Sequence, residues 1–160
     1  MKRLLVTLLL IAVMLPLTSF SERLACSRDT PLYTHFVYLF GHASILHWAC
    51  NSWSLLVLHN LFSRYRMAAA YICAVAISFI PSARPVIGIS VIVCFFIGFY
   101  MTALWKQNRR AVFLTAALLL LSCALPGFAG LYHIITAVCG FAFFKFEMSV
   151  RNFLYHERQY

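Results

Sequence analysis

The stretch Val86-Ile-Gly-Ile-Ser90-Val-Ile-Val-Cys-Phe95-Phe-Ile-Gly98-Phe-Tyr-Met-Thr-Ala-Leu-Trp105 runs for twenty residues without a charged side chain. At about 1.5 Å per helical residue it reaches roughly 30 Å, the thickness of the hydrocarbon core of a bilayer. Read as a membrane span, it places the polar group Gly88-Ile89-Ser90 near one of its ends. A polar side chain in lipid is costly and marks a site of function.

Working outward, runs of similar character occupy about 4–20, 43–62, 67–82, 111–126 and 129–146, each bounded by charge, proline or glycine. Hydrophobic residues make up 63% of the 160 positions and charged ones 11%, more apolar surface than a soluble core of this size uses. The expectation is an all-α, polytopic transmembrane bundle of six spans. Its connecting segments are tight, so residues 1–160 read as a single membrane domain. No low-complexity tract is visible, nor an inverted repeat of the kind found in transporters. Residues 1–25 share features with a secretory signal, namely Lys2-Arg3, an apolar stretch and then Ser19, Ser21 and Ala25. The apolar stretch is long for that purpose and no clean small-x-small site follows, so it is taken as the first span.

The net charge of +9 invites a nucleic-acid reading, but its placement argues otherwise. With the N-terminus in the cytoplasm, the inner segments hold Lys2, Arg3, Arg64, Arg66, Lys106, Arg109, Arg110, Lys145, Arg151 and Arg158, and the outer ones Arg23, Arg28 and Arg84. Ten against three is the positive-inside bias. It predicts a multi-pass protein of the inner membrane with both termini cytoplasmic, whose surrounding partner is the lipid bilayer and not nucleic acid.

In this topology the second, fourth and sixth spans run from outside to inside. His47, Ser90 and His133 each lie about four residues into one of them, on the order of 6 Å below the outer boundary. Asn51 is one turn deeper than His47 on the same helical face. Gly98 follows Ser90 by eight residues and Gly140 follows His133 by seven, so two small residues stand at equal depth. Backbones pack closely in lipid at such residues, which predicts contact between the fourth and sixth spans and brings Ser90 within reach of His133. Pro81 and Pro85 frame the turn before the fourth span, and Gly88 allows either tight packing or an unusual helix start. A serine and a histidine at one depth, beside two further hydrogen-bonding side chains, point to a hydrolase built within a membrane.

The remaining polar residues read more simply. His35, His42, His59 and His156 fall in loops or at span ends, where contact with the interface accounts for them. Of the six cysteines, five lie in spans and behave as small apolar residues, while Cys26 faces outward without an obvious partner. His47 and Cys50 are three apart, but no further ligands stand at fitting spacing, so no metal and no cofactor is expected.

At these positions the chain resembles the rhomboid family of intramembrane serine proteases. That family's pattern sets His-x-x-x-Asn on the second helix, Gly-x-Ser on the fourth and a histidine on the sixth. Here they are His47-Trp-Ala-Cys-Asn51, preceded by Phe40-Gly41-His42; Gly88-Ile-Ser90, continuing to Gly98; and His133, followed by Gly140. The likeness covers roughly residues 34–141 and fits the six-helix minimal form of bacterial rhomboids. It implies Ser90 as nucleophile and His133 as base, with His47, Asn51 and the Ser90 backbone N–H stabilising the oxyanion. The implied partners are transmembrane protein substrates that unwind near their outer ends, since a continuous helix hides its peptide bonds. The only acidic residues, Glu22, Asp29, Glu147 and Glu157, stand near or beyond span ends, which favours a Ser-His dyad over a triad.

The chain departs from the family at Val91, where a small residue is frequent, and at Cys94, where an aromatic is. The alternative reading is therefore a rhomboid-like protein that binds transmembrane helices without cutting them. A transporter is disfavoured, because its site would lie near the midplane and include ionisable groups.

Overall fold

The computed structural model describes residues 2–82, 85–124 and 129–157. Arg84, residues 125–126 of the expected fifth span and Arg158 lie outside the described residues, as do the side chains of Cys123, His156 and Glu157. The described residues fold into six long helices: α1 (Lys2–Leu17), α2 (Ile45–Leu58), α3 (Arg64–Ser78), α4 (Ser90–Leu104), α5 (Arg109–Ala124) and α6 (Gly130–Glu157). Short polar side chains start three of them. Ser44 accepts from the His47 backbone N–H at 3.1 Å, Ser63 from that of Arg66 at 3.3 Å, and Asn108 from that of Ala111 at 3.0 Å. Each cap satisfies a donor that the helix itself leaves free, an effect of about 1 kcal/mol.

The architecture is all-helical, with no strand among the described residues beyond an isolated antiparallel bridge. There Cys26 N–H donates to Val86 C=O at 2.8 Å, and Val86 N–H to Cys26 C=O at 2.7 Å. That bridge shifts the start of the fourth helix. Val86 is extended and Gly88 turns with φ +111°, so α4 begins at Ser90 and not near residue 86. Two helical stretches are long and apolar enough to cross a membrane, Lys2–Leu24 and Gly130–Leu154, whereas α4 is apolar but shorter. The first stretch continues α1 through a 3₁₀ turn, Thr18–Phe20, into the short helix Ser21–Leu24. The last helix passes the expected end near 146 and continues to Glu157.

α4 is the central element. Val91, Phe95 and Phe96 are fully enclosed, as are Met14, Tyr38 and Leu55 from the helices and loop around it. Its closest partner is α6, and the pairing is parallel. Ser90 meets His133 at one end, Phe95 packs at a tilt against Phe143 further along, and Phe99 reaches Phe144 beyond that. Gly98 lies against the Ala137 backbone and Gly140 against that of Phe95. α1 runs opposite to α2, since Trp48 Nε1 donates to Ile11 C=O at 3.2 Å while Arg3 donates to Asn60 C=O at 2.8 Å. α3 likewise runs opposite to α6, with Arg66 on Glu147 at one end and the Tyr132 hydroxyl on Ile80 C=O at the other. The bundle therefore has two distinct ends. Ser90, His47, Asn51 and His133 gather at one, and Arg3, Arg66, Glu147 and Arg151 at the other.

Much of the outer surface is apolar. Leu5, Val6, Leu9 and Val13 on α1 are exposed, and so are Phe113, Leu114, Leu118 and Leu121 on α5. Contiguous apolar surface of this extent is rare on a monomer in water.

Candidate active site

Ser90 is the first residue of α4, and this is where the structure departs from a serine one turn inside its helix. A residue at that position has no earlier helical carbonyl for its backbone N–H, so the Ser90 N–H belongs to the unsatisfied first turn and sits at the positive pole of the helix. The Ser90 Oγ lies 2.9 Å from His133 Nε2 across 43 residues of chain. His133 is in the first turn of α6 and is buried, whereas Ser90 is half-buried and so lies closer to the outside. The close packing at Gly98 and Gly140 sets the distance between the two helices, and through it the distance between hydroxyl and imidazole.

Gly88 does not pack one helix on another; it lies in the turn before α4 and faces side chains. A Cβ there would stand 2.8 Å from His47 Cε1, 3.0 Å from His47 Nε2 and 3.4 Å from Asn51 Nδ2. Its φ of +111° is also one that side-chain-bearing residues rarely adopt. This glycine therefore lets the imidazole and the carboxamide of α2 close on the turn, two residues from Ser90. Asn51 is buried, yet its Nδ2 has no hydrogen-bond partner among the described residues. An unpaired buried donor is costly, of order 1–3 kcal/mol, and such groups call for an explanation in function. His47 is half-buried and its ring meets that of His42 edge-on at 5.2 Å. Ser90 and His133 thus meet directly, and His47 with Asn51, one turn deeper, closes on Gly88 two residues from the serine. Gly88→Ala is expected to displace His47 and Asn51 while leaving the helical content intact, read by circular dichroism together with the probe assay described below.

Two histidines expected at the interface are instead inside. His42 is fully enclosed beside His47. His35 is buried and stacks on Phe79 at 4.3 Å with the rings almost parallel. Its Nδ1 lies 2.9 Å from Ser78 Oγ and 3.1 Å from Cys26 Sγ, so Cys26 does have a partner. The Ser78 hydroxyl donates to Val75 C=O and the Cys26 thiol toward Ser78 C=O. Both are therefore placed to accept from the Nδ1–H tautomer of His35. The cluster ties the segment after α1 to the end of α3, and through the Cys26–Val86 bridge it steadies the turn that holds Gly88. Gly88 N–H donates to Tyr38 C=O at 2.9 Å, and the buried Tyr38 hydroxyl to Ala74 C=O at 2.9 Å, from the same side. Loop residues without a helical period carry these contacts, which is why the residue pattern did not show them.

Burial pushes the Cys26 thiol up from its ordinary range, an effect only partly offset by hydrogen bonds to neighbouring hydroxyls. The thiolate is the reactive form, so Cys26 is expected to alkylate far more slowly with iodoacetamide at neutral pH in the folded protein than after denaturation. Rapid modification in the native state would contradict its placement.

Among the described residues, no group of three or more His, Cys, Asp or Glu side chains is placed to hold a metal ion. The Ser90 and His133 side chains, an unsatisfied carboxamide donor and a helix-start N–H are groups of the kinds that a covalent acyl transfer uses.

No protein-family profile matches the chain. No curated protein matches it significantly either.

Proposed function

We propose that the chain is a multi-pass membrane protein and an intramembrane serine endopeptidase of rhomboid type. The observation that carries this reading is the 2.9 Å approach of Ser90 Oγ to His133 Nε2, with an Asn51 Nδ2 nearby that has no partner among the described residues. The two apolar helices of spanning length and the exposed apolar faces of α1 and α5 support membrane placement. In that placement six spans alternate in direction, both termini are cytoplasmic, and the Ser90 end of the bundle lies just below the outer surface.

In the proposed mechanism the Ser90 hydroxyl donates to unprotonated His133 Nε2 and attacks the scissile carbonyl. His133 takes the proton and returns it to the leaving amine, and a water then releases the acyl group by the same route in reverse. The oxyanion receives hydrogen bonds from the Ser90 N–H, Asn51 Nδ2 and His47. Asn51 Nδ2 has no other partner among the described residues, so this donor is already set for the transition state and costs no rearrangement when charge develops. Asn51→Ala is expected to lower kcat by about 10²–10³, roughly 3–4 kcal/mol, with little change in KM.

A serine-directed fluorophosphonate probe tests the reading. Labelling of the folded chain, lost in Ser90→Ala and in His133→Ala, is the expected result. A well-folded chain that takes no label is instead a binder of transmembrane helices, in keeping with Val91 and Cys94 at positions where the family differs.

A further inference from the structure

At the end of the bundle opposite Ser90, α1, the start of α3 and the second half of α6 enclose an opening of about 460 Å³. Three guanidiniums, those of Arg3, Arg66 and Arg151, line it with a single carboxylate, Glu147. Arg66 grips that carboxylate through Nε at 2.9 Å and Nη2 at 2.7 Å, and Arg151 touches the same oxygen. One negative charge against three positive leaves an excess of two. The donors are unspent as well. A guanidinium offers five N–H groups, whereas Arg3 is seen to use one, on Asn60 C=O. The Arg151 side chain is 63% exposed.

Two further features fit the opening to a phosphate. Ser63 caps α3 at its rim, so the positive pole of a fifteen-residue helix faces into it. Phe146 and Val150, on α6 beside Glu147 and Arg151, form an apolar wall that continues to the exterior, being 64% and 39% exposed. A free phosphate has no use for that wall. A molecule bearing a phosphate beside an acyl chain uses both.

We propose that this opening binds the headgroup of an anionic phospholipid, with Arg3 and Arg151 on the phosphate and an acyl chain along Phe146 and Val150. The proposal rests on the membrane placement above, which puts this end in the anionic cytoplasmic leaflet, and it is independent of the protease reading. Glu147 has a defined part in it. By gripping Arg66 with both oxygens it keeps that side chain as a wall, so that Arg3 and the donors of Arg151 not turned to Glu147 are left to the ligand.

Native mass spectrometry of the full chain released from micelles with equimolar phosphatidylglycerol and phosphatidylcholine tests it. Phosphatidylglycerol adducts are expected to exceed phosphatidylcholine adducts roughly tenfold in the wild type and in Lys106→Gln/Arg110→Gln, which loses the same charge elsewhere at this end. In Arg3→Gln/Arg151→Gln the preference is expected to vanish. If that double variant does not fold, Arg151→Gln alone, which leaves the Arg66–Glu147 pair in place, is expected to lose most of it. No preference in the wild type, or an equal loss in both double variants, overturns the proposal. Displacement of the lipid by millimolar inorganic phosphate overturns it in favour of a free-phosphate site. Alkaline carbonate extraction separates the two layers of the argument. A chain stripped from membranes sinks the membrane placement together with this site, whereas a chain that stays but shows no lipid preference sinks only the site.

Discussion

Ser90→Ala is expected to reduce cleavage of a model transmembrane substrate in detergent to the uncatalysed background, a loss of at least about 10⁴-fold, and His133→Ala to do the same. The expectation follows from the geometry of one contact. Ser90 Oγ and His133 Nε2 stand at 2.9 Å, so in the proposed mechanism neither works as nucleophile or base without the other. Groups acting as a unit are non-additive, and the double variant is therefore expected to be no slower than either single one. Both substitutions leave the helix pair intact, because the packing that holds α4 to α6 lies further along at Gly98 and Gly140. Circular dichroism and unfolding midpoints close to wild type make the loss a chemical one. Equal cleavage by all three proteins would end the protease assignment, whatever the distance between the two side chains.

The parts of this arrangement that were legible in the residues are those set by helical arithmetic. Ser90 and Gly98, or His133 and Gly140, lie along one helix each, so their relative depth follows from the rise per residue alone. Matching the two depths is enough to foresee that α4 and α6 touch and that the hydroxyl and imidazole lie at one end. The all-helical class follows equally from runs of apolar residues. What stayed hidden is what the loops do. Gly88 was open to two readings, and only the backbone turn at φ +111° shows that it makes room for His47 and Asn51. The Cys26–His35–Ser78 cluster joins residues up to 52 apart in three separate segments, with no period to announce it. His42 looked like an interfacial residue because it precedes a helix, yet the fold closes over it. Glu147 read as the end of a span, and nothing local tells that Arg66, 81 residues earlier, arrives beside it.

Gly98→Val and Gly140→Val are expected to cost the most stability of any single changes in the bundle, about 3 kcal/mol or more each. The obstacle is backbone, and backbone cannot rotate aside as a side chain can. A Cβ on Gly98 would overlap the Ala137 carbonyl oxygen and stand 2.6 Å from its carbon, and one on Gly140 would overlap the Phe95 carbonyl oxygen and stand 2.8 Å from its carbon. Relief requires α4 and α6 to move apart over their whole contact, which strips the interlocked faces around Phe95 of dispersion contacts. In lipid those contacts are the main source of helix association, because apolar burial from water does not drive it there. Even alanine carries the offending Cβ, so Gly98→Ala is expected to fall near the valine variant, whereas at most sites it would be mild. Ala68→Val, on an exposed position of α3, serves as the control and is expected to change stability by no more than about 0.5 kcal/mol. Unfolding in mixed micelles of rising dodecyl sulfate content measures all four. Any separation of α4 from α6 also draws Ser90 away from His133, so fluorophosphonate labelling is expected to weaken in the glycine variants under conditions where most of the chain is still folded. Glycine variants as stable as Ala68→Val would mean that the close approach at Gly98 and Gly140 does not hold the pair together, and the distance between hydroxyl and imidazole would then need another cause.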